Sequence, residues 1–273
     1  MNRLRTRNPV PDTKMPMNLP DPIFEIEFPI RYHELDRHGL LRPMTLLNLV
    51  QDAGGMHASL LGVSVRDLRR SGLTWVLSRV HLVAERYLHA DDVIRVRTWP
   101  STRAGLFSCR EFEMRDRNGD LFSRATSSWA VLNLASRKPV RLQECLPEYP
   151  LTDRRALDDD FRSLPHFPDA PGDSFREIPF LVRRSDQDTN QHVNNTVYSD
   201  WALEAVPDDV AAGHLQSLEV SFRAEAVYGD SILSQCSVKR NGSDSVCLHR
   251  IVDVRDMREL ARLRTRWKGT THP

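Results

Sequence analysis

The chain has 273 residues, 40% of them hydrophobic and 27% charged, with a formal net charge of +1. That is enough apolar content for one large domain or two ordinary ones, and the balanced charge gives no case for a nucleic-acid partner. Its longest apolar runs are a few residues, short of the roughly 20 that a membrane-spanning helix needs.

Residues 1–20, rich in Pro, Asn and Arg and without an apolar h-region, read as a disordered arm rather than a secretory signal. A first domain is expected over 21–135. "FEIEFPIRYHELDRHG" predicts a strand running into a turn. "RPMTLLNLVQDAGGMHASLLG" predicts a helix near 43–61, with Leu46, Leu47, Val50, Ala53, His57 and Leu60 along one stripe and Gly62 as its C-cap. Strands follow, the last two joined by a hairpin turn at Arg117–Asp120. Residues 136–173, rich in Pro and Asp, read as a linker.

The second domain, 174–273, repeats the order. "IPFLVRRSDQD" is a strand ending in a polar turn. A helix near 195–206 carries Val197, Tyr198, Trp201 and Ala205 on one face and is stopped by Pro207. "SLEVSFRAEAV" and "ELARLRTRWKG" then alternate as half-buried strands. Laid over each other, the halves place Asp36 on Asp188, His38 on Asn190, Leu40 on His192, Leu49 on Trp201 and Asp91 on Asp230. This is a duplicated unit. A helix lying across an antiparallel sheet buries the sheet's apolar face, so the expected class is α+β with two such units.

Cys109, Cys145, Cys236 and Cys247 have no C-x-x-C spacing, so neither a zinc site nor a redox pair is expected. Reduced thiols in a cytoplasm are the simplest reading. The densest chemistry lies between Ser185 and Pro207, where Asp188, Asn190, His192, Asn194 and Asn195 precede a helix. Asn194 and Asn195 are good N-cap residues. Residues 188, 190 and 192 would share one side of an extended turn, next to the unpaired N–H groups and partial positive charge of a helix N-terminus.

The pattern D-x-N-x-H-V-N-N-x-x-Y-x-x-W-x-x-E-x-x-P, with "LEVSFRAEAVYGDS" behind it and "GLTWVLSRVHLVAERY", "VIRVRTWP" and "SSWAVLNLASRKPVRL" in the first half, resembles the acyl-ACP thioesterase family. The resemblance spans nearly all the chain from about Pro22 to Trp267. It implies two tandem hot-dog domains, each a long central helix wrapped by an antiparallel sheet. It implies hydrolysis of fatty acyl-[acyl carrier protein], which ends fatty acid elongation, without metal or cofactor. The family's catalytic residues fall on Asp188, Asn190, His192 and Glu225, with Glu225 or His192 as the base that activates water. Plant relatives carry a Cys after the Glu; here that position is Ala226, so no cysteine nucleophile is available there.

By simple alternation Glu225 belongs to the polar strand face and joins a site only if that face, or a bulge, meets the 188–192 loop. In the first half Leu40 stands at the His position and Arg86 nearest the Glu position, so that half is expected to bind rather than react, with Leu46, Leu47, Val50 and Met56 lining an acyl tunnel. Asn194 and Asn195 complete the expected substrate contacts. The acidic carrier protein is expected to dock through Arg183 and Arg184. A monomer or a homodimer fits equally. An acyl-CoA thioesterase and a non-catalytic acyl-binding hot-dog protein are the alternatives.

Overall fold

A computed structural model describes residues 21–169 and 174–269; the arm expected over 1–20 lies outside them. The first half runs β1 (Phe24–Pro29), α1 (Pro43–Leu60), α2 (Val65–Arg69), β2 (Leu73–Ala84), β3 (Val93–Ala104), β4 (Phe107–Arg115) and β5 (Leu121–Asn133). The connecting segment holds β6 (Pro139–Val140) and α3 (Leu142–Cys145). The second half runs β7 (Phe175–Leu181), α4 (Asn195–Glu204), α5 (Asp208–Ala211), β8 (His214–Phe222), β9 (Ser231–Asn241), β10 (Asp244–Asp253) and β11 (Glu259–Lys268).

The two halves share one antiparallel sheet, ordered β1-β3-β4-β5-β2-β8-β11-β10-β9-β7, with β6 paired to β5. Read outward from the middle, each side has the same strand order. The seam is β2 against β8, in the register Val80↔Val220, His81↔Glu219 and Leu82↔Leu218. Each half lays its helix on the sheet, and the two helices meet: the expected pair of α+β hot-dog units is present, fused edge to edge.

Pro43 starts α1 at its first turn, where a missing N–H costs nothing. Gly62 ends it: at φ +70 it donates to Ser59 O (3.2 Å), while Val63 N–H returns to Ala58 O (2.9 Å). The buried stripe is Leu46, Leu47, Leu49, Val50, Ala53 and His57; Leu60, expected on it, is 65% exposed. The expectation of a long central helix holds for α1, with 18 residues, but not for α4, with 10. Pro207 disfavours helical geometry in the residue before it, so the chain breaks after Glu204 and restarts as α5. Within that shorter length α4 is anchored by Trp201, stacked on Phe180 at 5.8 Å, and by Tyr198, edge-on to Trp201.

The stretch expected as a linker is packed where it is described. Glu111, fully buried, accepts from Ser101 (2.8 Å), Thr126 (3.0 Å), Arg155 (2.8 Å) and the Ala156 N–H (3.0 Å). Trp99 Nε1 donates to Arg154 O and Arg262 Nη1 to Leu164 O. The segment therefore ties both halves of the sheet together, and a buried carboxylate with four donors is what fixes it.

Candidate active site

The turn before each helix is built twice. In the second half Asp188 N–H donates to His192 O (2.8 Å), and Asp188 Oδ1 accepts from the N–H of Asn190 (2.7 Å) and of His192 (3.4 Å). Gln191, at φ +65, closes the turn onto Asp188 O. In the first half Asp36 N–H donates to Leu40 O (2.7 Å), Asp36 Oδ1 accepts from His38 (2.7 Å) and Leu40 (3.0 Å), and Gly39 sits at φ +74. The aspartate is the internal staple of the turn in both. Residues 188, 190 and 192 are thus gathered by a chain folded back on Asp188, not by the alternation of an extended segment.

In the second half the staple does one thing more. Asp188 Oδ2 accepts from Asn190 Nδ2 (3.0 Å), and the Arg69 guanidinium of α2 donates to Asn190 Oδ1. An acceptor on the amide nitrogen and a donor on its oxygen fix which way the amide faces, leaving one N–H of Nδ2 for a ligand.

Glu225 reaches this turn because the sheet stops short of it. β8 ends at Phe222, and the following residues leave the strand ladder. Ala226 is pinned on both sides: its N–H donates to Tyr198 Oη (2.9 Å) and its carbonyl accepts from Val193 N–H (3.0 Å). Burial pushes the Tyr198 phenol up to about 12, so it stays a neutral acceptor. The pinned backbone turns the Glu225 carboxylate toward the loop, with Oε2 at 3.5 Å from His192 Nε2 and 2.7 Å from Arg137 Nη2. Arg137 lies in the turn between β5 and β6, so two cations, Arg69 of the first half and Arg137 of the connecting segment, reach the constellation in the second half.

The first half has no such constellation. Leu41 N–H to Leu88 O repeats Val193 N–H to Ala226 O, which puts Tyr87, not Arg86, at the position of Glu225. The bonds from Ile30 to Asp92 O and from Val182 to Asp230 O likewise pair Asp92, not Asp91, with Asp230. Tyr87 is spent on Leu215 O (3.0 Å).

One cavity of about 940 Å³ connects the halves; its wall includes Asp188, Asn190, His192, Asn195 and Glu225, together with Val50, Gln51, Gly54 and Ala58 of α1. Of the expected tunnel residues only Val50 lines it. Leu46 is fully buried in the core, Leu47 lines a small adjoining pocket, and Met56 is 43% exposed on the other side of the helix. The stripe that meets the cavity is rotated from the stripe that meets the sheet, because the apolar pattern reports burial and not which buried side faces a void. No cysteine lines the cavity.

Asn194 is the cap: its Oδ1 accepts from Thr196 N–H (3.1 Å) and from Gln51 Nε2 (3.4 Å), while Asn195 opens the helix. Asn194→Ala is therefore expected to lower stability by about 1 kcal/mol, read as a fall in the denaturation midpoint, and Asn195→Ala to leave that midpoint nearly unchanged. Arg183 and Arg184 do not line the cavity. Arg183 is committed to Asp186 (2.8 Å), and Arg184 lies over the Tyr228 ring at 4.4 Å. The arginines on the cavity wall are Arg110, Arg137, Arg223 and Arg258.

Two family models match the chain, the acyl-ACP thioesterase N-terminal domain over residues 21–149 and the acyl-ACP thioesterase C-terminal domain over 170–269. Oleoyl-acyl carrier protein thioesterase 1 of Arabidopsis thaliana is 28% identical, over 90% of this chain and 76% of the relative. The solved 12:0-ACP thioesterase of Umbellularia californica superposes with a TM-score of 0.78 at 26% identity, covering 91% of this chain and 94% of that one. An acyl-ACP thioesterase of Bacteroides thetaiotaomicron shares the fold, with a TM-score of 0.76 at 22% identity over 90% and 98% of the two chains.

Proposed function

This chain belongs to the acyl-ACP thioesterase family, and from that premise we propose that it hydrolyses the thioester of fatty acyl-[acyl carrier protein] at the turn of Asp188, Asn190 and His192 facing Glu225. The observation that carries the site is the approach of Glu225 to His192 at 3.5 Å on the wall of a cavity large enough for an acyl chain. A water entering from the cavity beside those two groups would be within hydrogen-bond reach of both.

The reaction then runs as follows. Water oxygen attacks the thioester carbonyl carbon as Glu225 takes its proton. The carbonyl oxygen becomes an oxyanion, which accepts the free N–H of Asn190 Nδ2. The carbon–sulfur bond breaks as the carbonyl re-forms; the proton taken by Glu225 passes to His192, 3.5 Å away, which gives it to the leaving sulfur. The products are the free fatty acid and the carrier's thiol. Asp188 holds Asn190 in place, and Arg137 holds Glu225.

Docking of the acidic carrier is assigned to Arg258 on the cavity wall, exposed and with only distant acidic partners at 3.9 Å, rather than to Arg183, whose charge Asp186 already answers. We take the cytoplasm as the location, in keeping with a chain whose four cysteines show no C-x-x-C spacing.

A ladder of acyl-ACPs, each set against its acyl-CoA counterpart, tests the reading. The expected result is a kcat/KM higher on the carrier protein at every length. Arg258→Glu should raise KM for acyl-ACP several-fold and in a salt-dependent way, with kcat little changed, and Arg183→Glu should do neither. Equal turnover of CoA thioesters would move the substrate assignment to acyl-CoA.

A further inference from the structure

The strand β4 carries a charge on the wrong face. Phe112 and Met114 point into the core from this strand, fully buried, and Arg110 shares their face while Glu111 and Glu113 take the other. Arginine on an apolar face asks for a partner. Here the partners are neutral: Nη1 donates to His57 Nδ1 (3.0 Å) and to Thr98 Oγ1 (3.3 Å). His57 is held neutral, its pKa lowered to about 4 by burial and by Arg110 itself. Among the described residues no carboxylate answers the guanidinium; Arg110 is partly buried and lines the cavity. Burial lowers its pKa only to about 10, so it remains a cation at neutral pH.

The helix above makes room for it. A Cβ on Gly54 would lie 3.3 Å from Arg110 Cδ and 3.5 Å from the Phe112 ring. Glycine inside a helix is unfavourable by itself, and at this position its absent side chain is what admits the arginine. Gly54 is three residues beyond Gln51, which bonds the α4 cap, so Arg110 meets α1 about 4.5 Å further along the helix than the catalytic end does.

We propose that Arg110 receives a carboxylate at the far end of the acyl chain, so that this site takes carrier-protein thioesters of dicarboxylic acids in preference to methyl-ended chains. The proposal rests on the hydrolytic reading above for the thioester end and on the unanswered guanidinium for the other. A guanidinium offers a planar fork that a carboxylate fills with two hydrogen bonds, so the pairing is favourable in both charge and geometry. A methyl end leaves the same cation unpaired.

The test uses two ligand series over a range of chain lengths, one ending in a methyl group and one in a carboxylate. Each is prepared as the acyl-ACP and as a non-hydrolysable amide analogue of the pantetheine thioester. The full chain is expected to turn over carboxylate-ended acyl-ACPs with kcat/KM about tenfold or more above methyl-ended ones at the matching length, and calorimetry should show the same preference for the analogues. Arg110→Met should bring both ratios to one or below, and Arg110→Lys should fall between. A wild-type preference for methyl ends at every length overturns the proposal without any variant having to fold. So does a carboxylate preference that survives in Arg110→Met. If that variant instead only lengthens the methyl-ended chains accepted, Arg110 is merely the end wall. If the analogues discriminate but no acyl-ACP is cleaved, the carboxylate site stands and the hydrolytic reading fails.

Discussion

Asn190→Ala should lower kcat by about 10²–10³-fold while KM moves little, because the amide N–H aimed at the developing oxyanion is lost and the rest of the cavity is untouched. The orientation of that amide is what makes the expectation sharp. Its nitrogen is bonded to Asp188 and its oxygen to Arg69, so the free N–H has one direction to point. Asn190→Asp is the more searching variant. It keeps the shape, removes both N–H donors and sets a second carboxylate against Asp188, and its turnover should be no better than that of the alanine variant. Melting temperature measured on the same samples separates chemistry from folding. An Asn190→Ala enzyme that keeps its kcat, or loses it only in proportion to unfolding, would leave Asn190 as a turn former.

Glu225→Gln should cost about 10²–10⁴-fold in kcat, since it preserves the fit beside His192 and Arg137 and removes the base. His192→Ala should cost a similar factor, because the leaving sulfur loses its proton donor. The double variant should be little worse than the poorer single, as the two groups act on one water and one bond. Independent, multiplying losses would separate the two residues mechanistically and place the attacking water elsewhere. Arg137→Gln tests the support: with the guanidinium gone, Glu225 keeps its basic oxygen but loses its tether, so a smaller loss in kcat than that of Glu225→Gln is expected.

The fold was legible because its repeat was. A strand, a turn on an aspartate and a helix recur in both halves, and the hydrogen bonds of Asp36 and Asp188 show that the resemblance reaches single N–H groups. The site was legible only in part. Asp188, Asn190 and His192 are close in sequence, and a local turn suffices to gather them. Glu225 carries no local signal, since alternation assigns it to the polar face, and only the end of β8 at Phe222 turns it inward. No sequence pattern ties Arg69 or Arg137 to the site: one comes from the first half and the other from the start of the connecting segment, 121 and 88 residues from its partner. The tunnel wall was misread for a different reason. Burial makes Leu46 and Val50 look alike in a helical stripe, and only the shape of the void tells which of them a ligand meets. Arg110 did leave a trace, a charge at an inward position of an alternating strand.

The seam between β2 and β8 bears on how the protein is made. His81 pairs with Glu219, so the strands that join the halves are separated by well over a hundred residues of chain. During synthesis at about 5–20 residues per second, β2 waits roughly 7–30 s for its partner. Through that interval Val80 and Leu82, buried in the finished sheet, sit on an open edge with unpaired N–H and C=O groups. A nascent first half is thus the most aggregation-prone species the chain passes through, and two copies stalled at that length could pair β2 against β2 in the manner of the native seam. The packed segment held by Glu111 emerges next and can begin covering the outer face of the first half before the second arrives, but only β8 can close the edge.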